Sequence, residues 1–148
     1  MGRKIGAVVA GVAVLGVVVF ALRWAGGLIH PLPPGVDPMN PDDQAAFTAH
    51  LATMPFAAWA LAWGSEILGA FLGALTAGRI ADSKKKWFSA GMVLLAVAGS
   101  VSNWVAFPHP IWFIVGQLVA YPFAFLAATK FLPPHQSLRR RLNERQRA

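Results

Sequence analysis

The stretch FAAWALAWGSEILGAFLGALTAG, which runs from Phe56 to Gly78, decides the fold of this chain. Its only charged residue is Glu66. At about 1.5 Å of rise per residue, a helix of this length crosses a hydrocarbon core of about 30 Å. Backbone polar groups in lipid must be satisfied inside the segment, so the sequence predicts a transmembrane helix.

Three further apolar segments, at 5–22, 87–107 and 111–131, have a similar length and few charges. The composition agrees, because 56% of residues are hydrophobic and only 13% are charged. The sequence therefore predicts an all-α integral membrane four-helix bundle over residues 1–132 and a basic tail over 133–148. The first segment follows a basic start, as signal peptides do, but bulky residues occupy the expected cleavage site, so we predict a retained anchor.

The distribution of basic residues predicts the orientation. Short loops rich in Lys and Arg stay in the cytoplasm. Both termini are therefore predicted to be cytoplasmic, in a multi-pass protein of the cell inner membrane. Arg23 alone falls on the outer side, where we expect it to reach the headgroups and Trp104 to lie at the same interface. The other side receives Arg3, Lys4, Arg79, Lys84, Lys85, Lys86, Lys130, Arg139, Arg140, Arg141, Arg145 and Arg147.

This placement also bears on binding partners. The net charge of +7 is accounted for by membrane topology, so the sequence calls for no nucleic-acid partner. The lipid bilayer is the expected partner, and anionic lipids should bind the basic tail.

The outer loop, predicted at 23–55, is the longest connection. Its first half is rich in proline, which excludes a helix there. In its second half Asn40 is a good N-cap, Pro41 suits the first helical position, and acidic residues follow it. Phe47 and Leu51 fall at helical spacing after this start, so we predict a short amphipathic helix on the outer surface of the bundle.

Glu66 is the one acidic residue deep within a predicted span. An ionisable side chain at that depth normally faces the bundle interior and has partners. Counting residues from the outer ends of the spans places Ser100, Gln117 and Tyr121 at similar depth. We predict an intramembrane polar cluster of these four residues, which serves as a hydrogen-bonded clamp between helices, as a proton or cation relay, or as the anchor of a small-ligand site.

Gly69 and Gly73 lie on the same helical face as Glu66. Small residues four apart let a second helix approach closely, because close packing drives association in lipid. The stripe is predicted to pack against another helix of the bundle or against a second copy of the chain.

Metal and cofactor sites lack support in the sequence. There is no cysteine, which excludes thiolate chemistry, and no phosphate-binding or hydrolase motif is present. His30, His50 and His109 all map to the outer side, but their spacing is not that of metal ligands. We therefore predict no metal, no cofactor and no catalytic residues.

Three motifs resemble those of small uncharacterised four-span bacterial inner-membrane proteins. They are the run from Pro33 to Pro38, the run from Leu68 to Ala81, and the run from Pro108 to Phe113. The resemblance covers nearly the whole chain and implies the four-span fold, but it implies no activity and no site.

Three functions follow from these features. The first is a non-enzymatic membrane protein, either self-associating or an accessory subunit of a larger complex. The second is a proton-coupled small-molecule transporter or ion-conducting protein that uses Glu66. The third is a lipid-modifying enzyme, which would require the outer loop to fold inward and bring His50 to Glu66.

Overall fold

The computed structural model describes residues 2–81 and 83–133, and all of its regular elements are helical. The all-helical part of the prediction is confirmed. Every helix except the second is long and apolar enough to cross a membrane. The five helices are α1 (Gly2–Ile29), α2 (Gln44–Ala52), α3 (Phe56–Ile80), α4 (Lys85–Ala106) and α5 (Ile111–Lys130).

The ends of α3, α4 and α5 lie within two residues of the segments 56–78, 87–107 and 111–131. The predicted first segment, 5–22, is too short, because α1 continues to Ile29. No proline interrupts the chain before Pro31, so nothing in the sequence stops the helix at Leu22. The outer loop therefore begins after Ile29 rather than at Arg23. Residues 134–148, which make up nearly all of the predicted tail, lie outside the described residues.

The predicted loop helix is present, preceded by one tight turn. The side chain of Asn40 accepts a hydrogen bond from the backbone N–H of Asp42 at 3.2 Å. A 3-10 turn then covers Pro41–Asp43, and α2 follows. The Asn40 cap satisfies a backbone donor that the first turn leaves free, which is why the helical region begins there.

The centre of the bundle is α3, which packs against α1, α4 and α5. Its buried face consists largely of alanine and glycine, including Ala70, Ala74 and Ala77, all fully buried. Small side chains let three helices approach one helix closely at the same time. The outward faces are apolar, with Phe20 73%, Val105 84% and Phe123 65% exposed.

Candidate functional site

The long helices bring five polar side chains to one region of the bundle. Glu66 lies ten residues after the start of α3, roughly 15 Å along its axis, and Tyr121 lies at the same distance along α5. Ser100 and Arg23 each lie six residues before the ends of their helices, roughly 9 Å in. All four predicted cluster residues, Glu66, Ser100, Gln117 and Tyr121, are buried and lie together.

One oxygen of the Glu66 carboxylate lies among three polar side chains. Its Oε2 accepts hydrogen bonds from Ser100 Oγ and from Gln117 Nε2 at 2.8 Å, and Tyr121 OH lies 3.4 Å away from it. These donors lie on α4 and α5. Glu66, which is only 7% exposed, thus connects α3 through its carboxylate to both of the helices that follow it.

The proton order in this cluster follows from donor counting. Ser100 Oγ also contacts Tyr121 OH, and each hydroxyl carries one hydrogen. Because Ser100 donates to Glu66, Tyr121 must donate to Ser100. A chain of hydroxyl donors therefore runs from Tyr121 through Ser100 to the carboxylate.

The other carboxylate oxygen pairs with Arg23. Its Nη2 donates a hydrogen bond to Glu66 Oε1, forming an ion pair between α1 and α3. The expectation that Arg23 reaches the outer headgroups is therefore wrong: α1 extends past it, and its side chain turns toward the acid inside the bundle. The signal available in the sequence was a deep acid in one span, Glu66, together with a single base, Arg23, near the outer end of another.

Trp104 also enters the cluster instead of serving only as an interface anchor. Its indole Nε1 donates to Gln117 Oε1 at 3.0 Å. With its oxygen occupied in this way, the Gln117 amide presents its NH₂ group to Glu66. Trp104 thereby orients a side chain that contacts the carboxylate, a role that interface propensity alone does not predict.

Two cavities meet at Arg23. The inner cavity, of about 200 Å³, is also lined by Glu66, Ser100, Asn103 and Tyr121. The outer cavity, of about 220 Å³, lies beneath α2 and is lined by residues that include His30, His50, Phe47 and Leu51. The Arg23 side chain, 41% exposed, thus lies between the polar cluster and the outer loop.

His30 and His50 line the outer cavity as a stacked pair. Their ring centroids are 4.0 Å apart, and His30 Nε2 lies 3.2 Å from the His50 carbonyl oxygen. Burial lowers the pKa of His50 from its ordinary value of 6.5, and the charge of His30 lowers it further. This stack joins the end of α1 to α2.

Within residues 2–81 and 83–133, no group of three or more His, Asp or Glu side chains could hold a metal ion. His109 lies apart from the stacked pair, where its Nδ1 contacts the Phe107 carbonyl oxygen at 2.8 Å. No hydrogen bond joins His50 to Glu66 in the described part of the chain. His50 lines the outer cavity and Glu66 lines the inner one, and Arg23 lines both.

The glycine stripe packs inside the bundle. A methyl group at Gly69 would lie 3.0 Å from Val19 Cγ2, and one at Gly73 would lie 2.9 Å from the Gly11 carbonyl oxygen. Both of these neighbours belong to α1. Of the two alternatives left open by the sequence, the structure places a helix of the same chain on this face.

The residues that the structure describes form an all-helical bundle with four helices of membrane-spanning length, which is the pattern of a multi-pass membrane protein. Comparison with models of protein families, with curated proteins and with solved structures finds no match to this chain.

Proposed function

We propose that this chain is a non-enzymatic multi-pass protein of a bacterial inner membrane, self-associating or acting as an accessory subunit of a larger complex. In this proposal both termini are cytoplasmic, and the cluster around Glu66 holds the bundle together. The observation that carries it is the occupancy of the carboxylate. Glu66 contacts groups from all three other long helices, through Arg23, Ser100 and Gln117.

The exposed apolar faces support placement in a membrane, and the pairing of Arg23 with Glu66 supports the proposed orientation. Large exposed apolar surfaces are rare on soluble monomers, whereas lipid accommodates them. With Arg23 paired inside the bundle, the outer connections contain no Lys or Arg at all. The asymmetry of basic residues on which the orientation rests is therefore stronger than the sequence alone indicated.

The ion pair supports a structural role for a physical reason. An acid in a low-dielectric region is tolerated when it pairs with an opposite charge and its own oxygens accept hydrogen bonds. On Glu66 both oxygens are engaged. An acid held in this way fixes the register of four helices.

A second candidate function is proton-coupled transport of a small molecule. It is favoured by the inner cavity, which lies directly against Arg23 and Glu66. An acid and a base that face a cavity can exchange partners with a bound solute, which a fully enclosed clamp could not do.

Reconstitution into proteoliposomes separates these two functions. If the cluster is structural, wild type and Glu66→Gln should show the same background proton permeability by an enclosed pH-sensitive dye. A proton flux in wild type that is lost in Glu66→Gln, at an unchanged melting temperature, would replace the structural role with transport. Ser102→Ala is the matched control, since Ser102 Oγ donates only within its own helix.

The assembly state has its own test. Solubilised in mild detergent from its native membrane, the chain should migrate as a particle larger than one copy, either alone or with other subunits. Migration as a single copy would reject both the self-associating and the accessory-subunit forms of the proposal.

A further inference from the structure

The inner cavity has unused hydrogen-bond donors at its wall. A guanidinium carries five N–H groups, and Arg23 uses Nη2 on Glu66. Within the described residues its other N–H groups make no hydrogen bond, and neither does the side-chain amide of Asn103. Both residues line the cavity of about 200 Å³.

Glu66, Ser100 and Tyr121 of the cluster also line the cavity, and the rest of its lining is apolar, with Leu15, Val19, Leu95 and Ala96 among its members. A ligand that fits this wall has one compact anionic group and a short apolar part. A carboxylate suits the planar fork of an arginine, which can bind both carboxylate oxygens at once.

We propose that this cavity binds a small monocarboxylate together with one proton, the anion at Arg23 and the proton on Glu66. The inference rests on the second candidate function and names its ligand class. The geometry that carries it is an ion pair with unused cationic donors at the wall of a partly open cavity.

Charge balance dictates the coupling. The site holds one positive and one negative charge, and an added anion would leave an uncompensated charge in a region where that is costly. If the acid RCOOH enters, its carboxylate binds the Arg23 donors that Glu66 leaves unused, and its proton moves to the Glu66 carboxylate. No net charge is added, and every atom is accounted for.

The surroundings of Glu66 leave few other sites for that proton. The other ionisable groups that face the carboxylate are Arg23 on α1 and Tyr121 on α5. The α4 side chains that line the cavity, Ser100 and Asn103, do not ionise. His30 and His50 face Arg23 from the outer cavity, so binding should be measured at about pH 7.5, above the ordinary pKa of histidine.

Calorimetry on the full chain in mild detergent tests the proposal, with propionate as the probe. Titration in buffers of different ionisation enthalpy should show about one proton taken up per anion bound. The affinity should then fall about tenfold for each unit of rising pH. Tighter binding of decanoate than of propionate would indicate a membrane fatty acid as the source of the carboxylate, and tighter binding of propionate would indicate a water-soluble acid. Propionamide, which has no charge, should cause no proton uptake.

Variants assign the roles. Glu66→Gln should bind propionate with no proton uptake and no dependence on pH, whereas Arg23→Gln should lose roughly tenfold or more in affinity. Asn103→Leu should also weaken binding while leaving the Glu66 contacts in place, which keeps the test valid if the Arg23 variant fails to fold.

The proposal is overturned if wild type binds neither carboxylate, or binds one without taking up a proton. Binding with proton uptake in detergent, combined with no flux in proteoliposomes, would reject transport while supporting the binding site.

Discussion

Helices α1 and α3 cross where Gly11 meets Gly73, with the two backbones in contact. A methyl group placed on Gly11 would lie 3.0 Å from the Gly73 carbonyl oxygen, and one placed on Gly73 would lie 2.9 Å from the Gly11 carbonyl oxygen. The crossing is reciprocal, so neither position has room for a side chain. Close approach of this kind is the main source of helix association where lipid removes the hydrophobic driving force.

The substitution Gly73→Ala should therefore destabilise the bundle by about 1–3 kcal/mol, the usual cost of overpacking. The nearest atom is backbone, which cannot move aside as a flexible side chain can. Gly64→Ala on the same helix is the matched control, because a methyl group there meets nothing within 4 Å. Thermal unfolding in mild detergent measures both. Equal melting temperatures for Gly73→Ala and Gly64→Ala would show that α1 does not pack at Gly73. A smaller oligomer for Gly73→Ala would indicate an interface between copies.

The Glu66 cluster should depend on hydrogen bonding between helices. Glu66→Ala is expected to cost about 1–2 kcal/mol, the upper range for such bonds in membranes. Glu66→Gln should cost less, because its amide oxygen still accepts from Ser100 or Gln117. Equilibrium unfolding of the two variants gives the comparison. An equal loss for both would mean that the charge of Glu66, paired with Arg23, outweighs its hydrogen bonds.

Two serines on α4 provide a sharper comparison. Ser100→Ala removes the hydroxyl that contacts both Glu66 and Tyr121, and should cost about 1 kcal/mol. Ser102→Ala removes an exposed hydroxyl whose hydrogen bond goes to the Ala98 carbonyl oxygen at 3.0 Å, and should be close to neutral. The difference in unfolding free energy between Ser100→Ala and Ser102→Ala gives the contribution of the hydrogen bonds that Ser100 makes to other helices. No difference would argue against the hydroxyl chain.

Docking of the outer loop should weaken in acid. The pKa of His50 is lowered when the loop is docked, so the undocked loop binds more protons between that lowered value and the ordinary 6.5. The contribution of His50 is therefore fully present above 6.5 and is lost as the pH falls through the lowered value. Hydrogen exchange of α2, corrected for intrinsic pH dependence, should accelerate on acidification. His50→Gln should abolish this response and His109→Gln should keep it; the reverse pattern would contradict the assignment.

Orientation in the membrane can be tested with single cysteines, because the chain has none of its own. Met39, 84% exposed in the outer loop, and Ser137 in the tail are suitable positions. In intact cells, a membrane-impermeant maleimide should label Met39→Cys and leave Ser137→Cys unlabelled until the membrane is opened. Labelling of both from outside would reject cytoplasmic termini.

Much of this architecture can be read from local sequence. The apolar runs predict α3, α4 and α5 to within two residues, because proline and charge mark their ends. The Asn40 cap, with Pro41 after it, marks where the loop becomes helical, because capping satisfies donors within a few residues. Counting depth along helices also brings Ser100, Gln117 and Tyr121 to the level of Glu66.

Arg23, Trp104 and Asn103 were not predicted as part of the site, because their roles depend on how the helices are arranged around α3. Arg23 contacts a residue 43 positions away, and only the packing of α1 on α3 decides whether it turns inward or toward the headgroups. The same packing decides that Gly73 faces Gly11 and not a second copy. Rise per residue determines depth from sequence alone, whereas the rotation of each helix about its axis is determined by contacts with its neighbours.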